Sequence, residues 1–258
     1  MTVPTQVAPK LVWLDLSSSD VAAAGDFYSK LFGWDVAVSD DPQYGGYAMA
    51  TLGGKDVAGI GPKQAAGMPS AWSIYIGPAA AEALGAVVAE SGGTVIAPAF
   101  DVGPQGRMAV FRDPAGAFIS AWEPRAMSGF DAEGPGTLGW AELSSRKLDA
   151  SVAFYAAVFG WGTHASQMPD GSTYVEFQLN GESIAGGQTM NAMVPAEVPS
   201  YWLPYFFAVD VDALYESALS LGAHEMLPPM DFPGGRFAIV GDPESATFGL
   251  LRMGPATA

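Results

Sequence analysis

Asp15 and Glu142 are placed by type and spacing to do chemistry. Each follows a tryptophan by two residues, in Trp13-Leu14-Asp15 and Trp140-Ala141-Glu142, and Trp140 stands 127 residues after Trp13. Tyr47 and Tyr174 share that offset, as do Met49 and Glu176. A carboxylate in a dry pocket can act as a general base once its pKa rises, and a nearby phenol can act as the acid. Asp15, Glu142 and Glu176 are therefore the candidate catalytic bases, with Tyr47 or Tyr174 as acid. The same groups, aromatic faces beside negative charge, would also grip a planar or cationic organic molecule. The candidate ligand-binding set is Trp13, Asp15, Tyr47, Met49, Trp122, Trp140, Glu142, Tyr174 and Glu176. A structural reading stands beside it: Trp13 and Trp140 plug a small barrel, and Asp15 and Glu142 pair with Arg107 and Arg236.

Other chemistries are excluded. With no cysteine, the chain forms no disulfide, thiolate metal site or cysteine nucleophile. Its two histidines are His164 and His224; His164 follows Phe-Gly-Trp-Gly and reads as a surface residue in a loop. Gly181-Glu182-Ser183-Ile184-Ala185 lacks the final glycine of a serine-hydrolase elbow. No glycine-rich stretch matches a phosphate loop. The formal charge is −16, from 27 acidic and 11 basic residues. Such a surface repels phosphate backbones and anionic membranes. The expected partner is a neutral or cationic small molecule, with neither nucleic acid nor membrane. The opening MTVPTQVAPK lacks a signal-peptide pattern and no apolar run is long enough to span a bilayer, so a cytoplasmic protein is expected.

The elements that position these residues repeat as well. Asp20 suits an N-cap, Val21–Phe32 has apolar residues at helical spacing, and Gly33 ends it. Short strands follow: WDVAVS, YGGYAMATL and KDVAGIG. AWSIYI then opens a second strand–helix–three-strand module, and the second half repeats both. Strand alternation places Val12, Leu14 and Leu16 under the helix, with Trp13 and Asp15 on the opposite, concave face. It likewise turns Tyr47, Met49, Tyr174 and Glu176 to concave faces. Trp72 and Tyr75 point to opposite sides, as do Trp202 and Tyr205, and Trp122 closes a wall. Asp113-Pro114 and Asp242-Pro243 read as structural turns, and Phe27, Tyr28, Phe154 and Tyr155 as core.

The order of these modules, with DFYSKLFGW on the first helix and FRDPAGAFISAWE near the first half's end, resembles the vicinal oxygen chelate superfamily, which includes glyoxalase I, bleomycin-resistance proteins and extradiol dioxygenases. The duplication, with GRMAVFRDPAGA and GRFAIVGDPESATF, is similar to its two-lobe actinobacterial branch, often labelled glyoxalase-like or hydroxylase. The resemblance implies an α+β fold of four βαβββ modules in two tandem glyoxalase-like lobes: residues 10–124, a linker at 125–137, and residues 138–253. Metal-using members place His, Glu or Gln on the first and last strands of each module. The corresponding positions here are Trp13, about Gly59, about Ile74 and Ser120, then Trp140, about Gly186, about Pro204 and Gly249. No metal and no cofactor is therefore expected. The implied protein is a metal-independent binder of a hydrophobic or cationic aromatic compound, with antibiotic sequestration as one role. The alternatives are a metal-free isomerase, lyase or hydroxylase-like enzyme using the cavity carboxylates, and a non-catalytic structural double domain. A monomer mimicking a dimer, or a homodimer, fits the duplication.

Overall fold

The computed structural model describes residues 9–168 and 171–254. Residues 1–8, most of the opening stretch read for a leader, lie outside the described residues. The first module runs β1 (Lys10–Ser18), α1 (Val21–Phe32), β2 (Asp35–Val38), β3 (Ala48–Leu52) and β4 (Lys55–Pro62). The second comprises β5 (Ala71–Gly77), α2 (Ala81–Glu90), β6 (Thr94–Val102), β7 (Gly106–Arg112) and β8 (Phe118–Pro124). The third is β9 (Leu138–Ser145), α3 (Leu148–Phe159), β10 (Gly162–Gln167), β11 (Thr173–Leu179) and β12 (Glu182–Thr189). The fourth is β13 (Tyr201–Phe207), α4 (Val211–Ser220), β14 (His224–Phe232), β15 (Gly235–Gly241) and β16 (Thr247–Met253). These form two mixed eight-stranded sheets, ordered β2-β3-β4-β1-β5-β8-β7-β6 and β10-β11-β12-β9-β13-β16-β15-β14. The α+β fold of four βαβββ modules is thus the one expected.

Local chemistry explains the boundaries. The Asp20 side chain accepts from the Ala23 N–H at 2.9 Å and starts α1, and Gly33 stops it in the left-handed region at φ 75°. Asp210 caps α4 in the same way, accepting from the Ala213 N–H at 3.0 Å. Two expectations are corrected. The strand read from Tyr44 begins only at Ala48, because a 3-10 turn at Pro42–Tyr44 is followed by Gly45 and Gly46 at φ 59° and 88°. His164 lies on β10, not in a loop, although it is exposed as expected.

Contacts divide the chain into two compact units. One gathers Ile74–Gly129 and Glu142–Trp202 with residues 9–12; the other gathers Trp13–Ser73, Phe130–Ala141 and residues 203–254. The first and fourth modules therefore share a unit, as do the second and third. In the former, Tyr28, Trp34, Trp72, Phe206 and Phe248 interlock on the helix side of the strands, with ring centroids 5.3–6.4 Å apart. Tyr155, Trp161, Phe177 and Trp202 build the equivalent core of the latter. Aromatic packing of this kind adds roughly 0.5–1.5 kcal/mol per pair beyond area burial.

Candidate functional site

Residues directly paired across neighbouring strands project to the same side of a sheet. The register therefore assembles each module's concave face. In the first module, Met49 pairs with Gly59 and Gly59 with Asp15. In the third, the corresponding row is His164, Glu176, Gly186 and Glu142. The second module supplies two rows: Ala97, Val110, Ser120 and Tyr75, then Phe100, Met108 and Trp122. The fourth supplies Leu227, Ile239, Gly249 and Tyr205, then Met230, Phe237 and Leu251.

The first face carries a hydrogen-bonded cluster. Tyr47 donates its hydroxyl to Asp15 Oδ1 at 2.6 Å. The Trp13 indole N–H reaches the same oxygen at 2.9 Å and the Tyr47 hydroxyl at 3.1 Å. Phe130 packs on Trp13 with centroids 5.5 Å apart. Gly59 makes the cluster possible, since a Cβ there would lie 1.7 Å from the Tyr47 hydroxyl and 2.3 Å from Asp15 Oδ1. Burial, then the neighbouring Asp15 charge, push the Tyr47 phenol well above its usual pKa, so it keeps its proton and serves as a donor. Trp13 is only 3% exposed. Its counterpart Trp140 is half-buried.

The third face is arranged differently. Gln188 donates its amide to Glu142 Oε1 at 2.7 Å, and Ser183 donates to Glu176. Gln188 stands where the first module has Gly61. Tyr174 is half-buried on β11, one pair away from the glutamates along the strand, opposite Gln188. The offset thus keeps the residue types and adds Gln188 and Ser183 as donors to the two glutamates.

The second and fourth faces are apolar. Trp122 meets Tyr75 edge-on at 6.4 Å and donates its indole N–H to the Met127 carbonyl at 2.9 Å. Tyr205 meets Phe237 at 6.2 Å and lies over Gly249, where a Cβ would sit 2.0 Å from its ring. Phe100 and Met230 remain 45% and 44% exposed on these faces. Neither was among the candidate residues, nor were Met108 and Phe237. The signal was present: Phe100 and Met230 occupy matching places at the ends of two apolar strands. Pairing, which sequence does not reveal, shows that they share rows with Trp122 and Leu251, across Met108 and Phe237.

Arg107 and Arg236, considered as partners for Asp15 and Glu142, have partners of their own. Arg107 binds Glu82 at 2.8 Å and Asp101 at 3.5 Å; Arg236 binds Asp212 at 2.6 Å and Asp231 at 3.0 Å. Two hollows lie elsewhere, of about 570 Å³ beside Leu84 and Phe159 and about 220 Å³ beside Phe27 and Leu221. Neither is lined by a candidate residue, so convergent chemistry, not hollow size, locates the site.

Fold and faces together define a tandem glyoxalase-like protein, and comparison with known proteins agrees. The Glyoxalase/Bleomycin resistance protein/Dioxygenase superfamily model matches residues 10–120. The chain is 38% identical over 251 residues to CFP32 of Mycobacterium tuberculosis, named as a proposed glyoxylase, covering 94% of each protein. It is 36% identical over 265 residues to the anthracycline biosynthesis protein DnrV of Streptomyces peucetius, covering 96% of this chain and 95% of that one. In fold it is similar to a Mn(II)-bound glyoxalase from Novosphingobium aromaticivorans, with TM-score 0.65 and 15% identity over 95% of this chain and 82% of that one. The chain belongs to the glyoxalase/bleomycin resistance/dioxygenase superfamily.

The metal of that superfamily's metal-using members does not fit here. The paired first- and last-strand positions are Asp15 with Gly59, Tyr75 with Ser120, Glu142 with Gly186 and Tyr205 with Gly249. Asp15, Tyr75, Glu142 and Tyr205 thus replace the Trp13, Ile74, Trp140 and Pro204 first aligned there, and Ile74 is buried on the helix side. Asp15 and Glu142 give each sheet's set a single carboxylate, and glycine, serine and tyrosine are poor substitutes for the nitrogen and carboxylate ligands that would have to complete it. Among the described residues, no three His, Asp or Glu side chains gather as a metal-holding group. Among them, too, no helix is long and apolar enough to cross a membrane.

Proposed function

We propose that this protein is a metal-independent small-molecule binder whose ligand is a flat, hydrophobic, positively charged aromatic compound. The carrying observation is the row Phe100–Met108–Trp122, in which Phe100 stays nearly half exposed on a sheet face shared with Tyr75. Apolar side chains left exposed on a concave surface mark a place where an apolar partner gains burial. Glu142 and Glu176, on the third module's face in the same unit, suit the positive charge. The names of the anthracycline-biosynthesis relatives support the same ligand class, because anthracyclines are planar polycyclic aromatics with a basic amino sugar. Sequestration of such an antibiotic would follow from tight binding alone.

The test is a calorimetric titration of the intact chain with an anthracycline, repeated with Phe100→Ser and Met230→Ser. Saturable binding is expected, weakened about tenfold by loss of an aromatic contact at Phe100. Stability should change by only about 0.5 kcal/mol, as for other exposed positions. Absence of any saturable heat would refute the reading.

A second reading has one observation in its favour: the 2.6 Å Tyr47–Asp15 bond could place an acid beside a base for a metal-free isomerisation or elimination. Asp15→Asn should then abolish product formation from the bound ligand while leaving its affinity largely intact. Unaltered ligand after prolonged incubation with the wild type would dismiss it.

A further inference from the structure

The carboxylate of the first face is already hydrogen-bonded within the chain, a feature that deepens the ligand-binding reading above and rests on it. We propose that Tyr47 is a specificity-determining residue: its phenol occupies Asp15 in place of a ligand's ammonium group and so biases the first face towards neutral aromatic compounds.

The geometry favours the phenol. An O–H donor 2.6 Å from a carboxylate lies in the short, strong range of charge-assisted hydrogen bonds. Trp13 braces both members, donating to the same Asp15 oxygen and to the Tyr47 hydroxyl. Two glycines make the room. A Cβ at Gly59 would collide with the hydroxyl, and one at Gly61 would lie 3.2 Å from the Tyr47 ring. The ring therefore lies along the strand and delivers its hydroxyl to Asp15. The buried, proton-retaining phenol has no competing charge state near neutral pH.

The third module has a different residue beside its tyrosine. Gln188 stands at the position of Gly61, and its own amide reaches Glu142. That contact is exposed and comes from a long flexible side chain, unlike the aromatic ring that holds Asp15. An organic cation approaching Asp15 thus competes with a phenol and an indole already bonded to it.

The test compares binding of aminoacridine, a planar cation near neutral pH, with neutral acridine, by calorimetry on the intact chain. Tyr47→Phe keeps the ring and removes the donor. It should tighten aminoacridine about tenfold, the usual worth of a hydrogen bond to a charged group, and leave acridine within about twofold. Adding Asp15→Asn to Tyr47→Phe should erase the gain. An unchanged ratio of the two affinities in a folded Tyr47→Phe variant overturns the proposal alone. Should that variant fail to fold, Asp15→Asn decides. With Tyr47 in place the proposal expects Asp15→Asn to leave the aminoacridine preference nearly unchanged, whereas a tenfold loss would show Asp15 already open to cations. Failure of both compounds to bind any of these chains would instead remove the ligand-binding reading, and this inference with it.

Discussion

Tyr28, on α1, donates its hydroxyl to Asp242, in the turn between β15 and β16, at 3.0 Å within a fully buried site. The other Asp242 oxygen accepts the Glu244 and Ala246 backbone N–H groups, each at 2.9 Å. Asp113 repeats the device, receiving Ser151 at 2.8 Å and Tyr155 at 3.4 Å while its second oxygen holds Ala115 and Ala117. Trp72 and Trp202 complete the networks by donating to the two tyrosine hydroxyls at 3.2 and 2.8 Å. The aromatic helix motif and the Asp-Pro turn, separate signatures in the sequence, are thus two ends of one bond within each unit.

Removing that bond should be costly, and unequally so. Tyr28→Phe strips Asp242 of its side-chain donor and Trp72 of its acceptor, so a loss of about 1–3 kcal/mol is expected. Tyr155→Phe leaves Ser151 on Asp113 and should cost less. Urea denaturation of both variants checks the order; equal losses would show that the second carboxylate gains nothing from Ser151.

What was legible in the sequence was local. Asp20, Gly33 and the apolar spacing of α1 mark that helix because a cap and a stop act within a few residues. The repeated Trp-x-acid triplets fixed the faces of β1 and β9 because alternation has a period of two. Partnership between distant segments was not legible. Nothing near Tyr28 points to Asp242, and nothing near Tyr47 points to Asp15 until Gly59 is seen to leave room for their bond. His164 was hidden because β10, Gly162–Gln167, is mostly polar and exposed and shows no apolar alternation.

Glu244 predicts a pH dependence of stability. Burial opposes its ionisation, but hydrogen bonds from Ser19, Ser70 and Ser18 prevail and bring its pKa down to about 2 from the ordinary 4.5. A carboxylate with a depressed folded-state pKa stabilises the fold above its unfolded value and loses that contribution as pH falls towards the folded one. The wild type should therefore weaken between pH 4.5 and about 2 more steeply than Glu244→Gln. Parallel pH profiles of the urea midpoint in the two proteins would contradict this.

The crowded glycines give a packing prediction. A Cβ at Gly59 meets the Tyr47 hydroxyl and Asp15, and one at Gly249 meets the Tyr205 ring at 2.0 Å. Gly59→Ala and Gly249→Ala should each cost about 1–3 kcal/mol, as overpacking does. Truncating the opposing side chain, in Gly59→Ala with Tyr47→Ala, should recover part of the loss. Additive losses in that double variant, measured by thermal unfolding, would place the strain elsewhere.

The same glycines bear on the metal question. Gly59 and Gly249 stand on last strands, where metal-using relatives place a ligand, and neither position can accept a side chain while Tyr47 and Tyr205 lie over it. A metal bound to the native fold raises its melting temperature in proportion to the logarithm of its concentration. Millimolar Mn²⁺, Zn²⁺ or Ni²⁺ should therefore leave the melting temperature within about 1 °C of that in chelator, because too few ligands gather to repay the lost hydration. A saturable rise with one ion per chain would place a metal site among these residues and end the metal-independent reading, whatever the ligand titrations showed.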